Sequence, residues 1–123
     1  MNILTLINAR VVFNQFGQTK ISSKLAYKIM KFCKSIAIEE EFYNTKKSEL
    51  VDIYAVKDKE GKIVVTNGTV SIIPEKLSEA NAALRELNNI EVEAPNIKFT
   101  LAELEELKLS VADMYALDAF IEE

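Results

Sequence analysis

Apolar side chains return every three or four residues through a long central stretch: Leu25, Ile29, Phe32, Ile36, Tyr43, Leu50 and Ile53 fall on one seam, with Glu39 and Lys46 where apolar residues are expected. That period matches the 3.6-residue repeat of an α-helix, so the seam predicts a helix with one buried face. From Gln18 to Glu60 the chain contains neither Gly nor Pro to end it. The reading is one helix over Ser22 to Lys57, started by Ser22 or Ser23, whose hydroxyl accepts a hydrogen bond from an orphan backbone N–H of the first turn. A helix of roughly 36 residues runs about 54 Å at 1.5 Å per residue. A compact body of 13.9 kDa does not cover that length, so the helix calls for a second long element beside it or a second subunit.

The period changes on either side. Ile3 to Ile7 is a short aliphatic, β-branched run that reads as a strand. In the next segment Asn8 is placed to cap a short helix with Val12 and Phe16 on one face, ended by Gly17, while Val11, Val12 and Phe13 would equally suit a strand. Asp58 to Lys62 is a turn centred on Gly61. Ile63 to Thr66 and Thr69 to Ile73 then flank Asn67-Gly68. Asn and Gly both accept the positive φ of a type I′ turn, so this is a β-hairpin. Pro74 fits the first position of a helix, where its missing N–H costs nothing, and Leu77, Ala80, Leu84 and Leu87 form that helix's apolar stripe. Glu91 to Phe99 is extended and interrupted by Pro95. Two capping boxes follow, Thr100 with Glu103 and Ser110 with Asp113, stapled by Phe99 with Leu104 and by Leu109 with Met114. The last helix is expected to bury Met114, Leu117 and Ile121 and to end in Glu122 and Glu123. The sum is an α+β fold, predominantly helical, with a long helix in the N-terminal half, a β-hairpin or extended arm, and short capped C-terminal helices. At 123 residues and 49% hydrophobic content a single domain over 1–123 is expected.

Charge adds one feature that the net value of −4 conceals. Residues 1–58 carry nine Lys and Arg against six Asp and Glu, and residues 59–123 carry six against thirteen. Opposed halves favour contact within a molecule or between subunits, over a screening length of about 8 Å. The acidic total argues against general nucleic-acid binding. The lone Cys33, and the lack of a segment resembling a secretory leader, lead to the expectation of a reducing, intracellular setting. No apolar run approaches the ~20 residues that span a bilayer.

Candidate chemistry is sparse. With no histidine, a serine or cysteine hydrolase pair lacks its usual proton acceptor, and Cys33 near the apolar seam reads as a small core residue. Glu39, Glu40 and Glu41, and Glu103, Glu105 and Glu106, read as solvated faces rather than as acid–base pairs or Mg²⁺ ligands. Lys46 with Glu49 and Arg85 with Glu86 read as surface pairs. Tyr27, Tyr43, Tyr54 and Tyr115 read as core or interface residues, with base stacking as the minor alternative. The most suggestive polar feature is the row Lys20, Lys24, Lys28, Lys31 and Lys34, spaced four, four, three and three. Placed along one side of the helix it is either a solvated face or a site for an anion or an acidic partner. Arg10 and Arg85 are the only residues able to add bidentate phosphate recognition. No metal site and no cofactor are expected.

The order of these segments carries a resemblance. Asn8 to Lys34, the turn Lys57-Asp58-Lys59-Glu60-Gly61, Pro74 to Leu87, the run Phe99-Thr100-Leu101-Ala102-Glu103-Leu104-Glu105, then Leu109-Ser110-Val111-Ala112-Asp113 and the closing Phe120-Ile121-Glu122-Glu123 together resemble a domain-of-unknown-function family of small proteins from phages and prophages of Gram-positive bacteria. The Asn67-Gly68 hairpin is a departure, being more developed here. The resemblance implies a phage setting and a helix-rich fold, and it brings no catalytic residues. The expected function is therefore non-enzymatic: a binding protein of the host cytoplasm, homo-oligomeric and unattached to membrane, that occludes a host antiviral-defence protein. Two alternatives stand beside it, an oligomeric sponge for an anionic signalling nucleotide and a virion or assembly component.

Overall fold

The computed structural model describes residues 1–122. The fold is α+β and predominantly helical. Within the span expected to form one domain, the chain divides into two compact units, one made of residues 1–40 with the chain from Glu91 onward, the other of Glu41–Ile90.

The first unit opens with α1 (Ile3–Asn14), where a strand was expected over Ile3 to Ile7. Asn2, not Asn8, is the cap: its Oδ1 accepts from the backbone N of Thr5 at 3.1 Å and from the Thr5 hydroxyl at 2.8 Å. The helix ends at Asn14, before Gly17. Burial of Ile3, Leu6, Ala9, Val12 and Phe13 overrides the β-propensity of the branched residues. Helix α2 (Ser23–Ser35) starts as expected, with the Ser22 hydroxyl accepting from Leu25 N.

The predicted 36-residue helix does not exist as one element. The chain leaves helical geometry at Ile36 (φ −110°, ψ 8°) and resumes in α3 (Ala37–Tyr54). Ser35 Oγ donates to the Phe32 carbonyl at 2.6 Å, a back-bond known to bend helices, and the break leaves Ile36 1% exposed within the core.

Four phenylalanines centre the first unit's core. Phe32 meets Phe13, Phe99 and Phe120 edge-on at centroid distances of 5.3, 6.0 and 4.9 Å, the arrangement that the ring quadrupole favours. Both capping boxes form. Thr100 starts the short α5 (Leu101–Leu104) and Ser110 starts α6 (Val111–Leu117), each with both reciprocal bonds. The last helix is shorter than its pattern: after Leu117 come a 3-10 turn and β4 (Ile121–Glu122), which pairs in parallel with β3 (Phe99–Thr100) in the register Phe99↔Ile121. The predicted end at Glu123 lies outside the described residues.

The second unit contains α3 from Glu41, a hairpin and α4 (Leu77–Asn88). Strands β1 (Val65–Thr66) and β2 (Thr69–Val70) pair antiparallel around Asn67 (φ 52°) and Gly68 (φ 77°), as a type I′ turn requires. Asp58 organises the preceding turn, its Oδ1 accepting from Glu60 N and Lys62 N. Pro74 begins a 3-10 turn that leads into α4. Tyr43 on α3 is buried and its hydroxyl bonds Asn88 Oδ1 on α4 at 2.7 Å. Burial pushes the Tyr43 phenol up from its ordinary value.

Candidate functional site

Helix α2 turns Leu25 and Phe32 into the first unit's core. At 100° per residue the side chains of Lys24, Tyr27, Lys31 and Lys34 fall within an arc of about 80° on the opposite side, over a rise of about 15 Å. All four are exposed. Tyr27 is 59% exposed, and the Lys31 ammonium stands over its ring at 5.7 Å from the centroid. Among the described residues none of these three lysines forms an ion pair.

The other members of the predicted row are placed differently. Lys20 precedes α2 and is not part of any helix, so the row of five on one helix does not form. Lys28 sits at the edge between the two faces and is half-buried. Its Nζ donates to Glu103 at 2.8 and 3.1 Å and lies 5.1 Å from the Phe99 ring centroid. Glu103 also receives the Thr100 backbone N–H at 2.9 Å. The Lys28 hydrogen bond first, and then the Thr100 backbone bond, hold the Glu103 carboxyl below the usual carboxylate range. Glu106 anchors the start of α2, accepting from Ser22 N and Oγ at 2.8 Å each.

Neither arginine joins the lysines. Arg10 is turned inward: its Nε lies 3.2 Å from Glu40 Oε2, out of line for a hydrogen bond, and its Nη1 donates to Cys33 Sγ at 3.2 Å. Arg85 is exposed on α4, in the second unit. Cys33 packs against the core, and its thiol is pushed up chiefly by burial, with Arg10 opposing and Glu40 adding to the shift. A thiol so held stays protonated near neutral pH and is a poor nucleophile.

Beside the α2 face lies an open depression of about 370 Å³ lined by Lys28, Lys31, Asn96, Ile97, Lys98 and Glu122. Lys28 is engaged by Glu103, Lys98 donates to the Ala119 carbonyl at 2.7 Å, and Glu122 brings a negative charge. Among the described residues no group of three His, Cys, Asp or Glu is arranged to hold a metal ion, and no helix is long and apolar enough to cross a membrane. Of the predicted residues, the structure thus brings Lys24, Lys31 and Lys34 together on one exposed face, with Tyr27 among them. The spacing of Tyr27 from Lys24 and Lys31, three and four residues, was the signal that tied them. Comparison with protein-family models, curated proteins and solved structures finds no match to this chain.

Proposed function

We propose that the protein is a non-enzymatic binding protein that docks the α2 face onto an acidic surface of a partner protein and occludes it. The observation carrying this reading is the exposed stripe in which three cations, without ion partners among the described residues, surround a largely uncovered tyrosine. Like charges held together in this way speed encounter with a complementary surface and fix orientation. A tyrosine at the centre supplies apolar contact area at low entropic cost. The phage resemblance directs the reading toward a host protein, with the antiviral machinery as the class of target.

A nucleotide sponge is supported less well. Of the lysines lining the depression beside the face, only Lys31 has no hydrogen bond or ion pair among the described residues, and Glu122 is set against a phosphate. The rod-like assembly reading rested on the single long helix, which the break at Ile36 divides.

The test is affinity capture from host lysate with the parent protein and with the K24E/K31E/K34E variant, each eluate also searched by mass spectrometry for nucleotides. The parent is expected to retain a protein partner that the folded variant loses. A folded variant that still protects phage fully would overturn the α2 face as the docking surface. A co-purifying nucleotide in place of a protein would return the sponge.

A further inference from the structure

The second unit has an unusual deficit. Across Glu41–Ile90 only Tyr43, Ala55 and Leu87 are buried apolar side chains, and none of the largest fully buried side chains belongs to this unit. Units of this size are marginal and are often completed by association. Helices α3 and α4 also leave an open groove of about 270 Å³ between them. Its α4 wall is Ala83, Glu86 and Leu87, with Ile90 just past the helix, and Leu50 of α3 adds to the apolar lining. Along its α3 rim run Phe42, Lys46, Glu49 and Ile53, at intervals of four, three and four. Phe42 is 41% exposed and Ile53 56%.

This order is its own complement. Two α3 helices laid antiparallel about a twofold axis midway between Lys46 and Glu49 bring Phe42 against the second copy's Ile53 and Lys46 against its Glu49. Each contact occurs twice, as an isologous interface demands. The interval of four and three is that of a seam between packed helices. Lys46 and Glu49 pair with each other within one helix at 3.2 Å and both are exposed, so a second copy would exchange this pair for the same pair across the axis. We infer that the α3–α4 groove is a homodimer interface, occupied by the same groove of a second copy in antiparallel register. A rim of one sign would repel its own copy, whereas Lys46 and Glu49 complement each other across the axis and Glu86 stands apart from them on the α4 side. The core deficit gives the second copy something to complete.

Sedimentation velocity across a concentration series tests this, using the full chain. The parent protein is expected to dimerise, and Ile53→Glu to leave a folded monomer by far-UV circular dichroism. Because Ile53→Glu alone does not report register, the charged pair supplies a second arm. Lys46→Glu and Glu49→Lys are each expected to raise the dimer dissociation constant about tenfold or more, since each places like charges opposite one another twice. The K46E/E49K double variant is expected to return it to near the parent value. A parent that stays monomeric to ~100 µM, at the weak end of specific association, would overturn the inference. A dimer indifferent to Ile53→Glu would do the same, and failure of the double variant to restore would overturn the antiparallel register.

Discussion

At the scale of single residues, the lysines of α2 divide into one kind that holds the fold and another that faces solvent. Lys28 bonds the carboxylate that completes the Thr100 capping box and covers the Phe99 ring. Lys28→Glu is therefore expected to lower stability by about 1 kcal/mol, while Lys24→Glu and Lys34→Glu stay within about 0.5 kcal/mol of the parent. Urea unfolding of the three variants measures this, and three equal midpoints would refute the division. Glu103 adds a pH signature. Its folded carboxyl titrates below the unfolded value, with the Lys28 bond as the largest cause. It thus contributes stability that is present above about pH 4.3, the unfolded value, and is lost as pH falls through the lower folded value. Glu103→Gln should flatten that part of the stability–pH curve, and a superimposable acid limb would show the carboxylate to be unimportant. None of this division was legible in the spacing of the lysines, because it is decided by Glu103, 75 positions away in sequence from Lys28.

At the scale of elements, what was legible lay within four residues along the chain. The Asn67-Gly68 turn, the Asp58 turn, the Ser22 cap and both capping boxes are local exchanges between a side chain and nearby backbone, and all formed as their residue types predict. The failures are tertiary. Ile3–Ile7 reads as a strand on propensity, but burial makes it helical. Ile36 fits the helical seam, yet its burial goes with a broken helix, and Ser35 offered only a weak hint. The β3–β4 pair joins residues 22 positions apart in the register Phe99↔Ile121, which no local pattern announces. The local elements yield two predictions. A Cβ at Gly68 would touch nothing within 4 Å, so the cost of substitution there is conformational, set by φ 77°. Gly68→Val should destabilise by about 1–2 kcal/mol and Gly68→Asn by less, since Asn tolerates the left-handed region. Equal denaturation midpoints would sink the I′ turn. Thr100→Ala and Ser110→Ala should each cost about 1 kcal/mol and add nearly independently, as the two boxes share no bonding partner. A double variant no weaker than either single one would show them coupled.

At the scale of the whole molecule, the opposed charges of the two halves find part of their balance inside the first unit, where Lys28 meets Glu103. The α2 lysines that remain outside this balance mark the face proposed to dock, while the groove of the second unit is lined mainly by apolar side chains. The two surfaces should therefore respond differently to salt. Screening shortens the reach of exposed charge from about 30 Å at 0.01 M to 3 Å at 1 M. Apolar association is not weakened in that way. Capture of an acidic partner through Lys24, Lys31 and Lys34 is expected to fall steeply between about 50 mM and 500 mM NaCl, in keeping with screened charge pairs. The dimer dissociation constant should change by less than about threefold over the same range, its two Lys46–Glu49 contacts supplying the small dependence. Measuring both on one preparation separates the surfaces. Capture that resists salt would remove electrostatics from the docking of α2, and a dimer that dissolves in salt would show that its charges, not Phe42 and Ile53, hold it together.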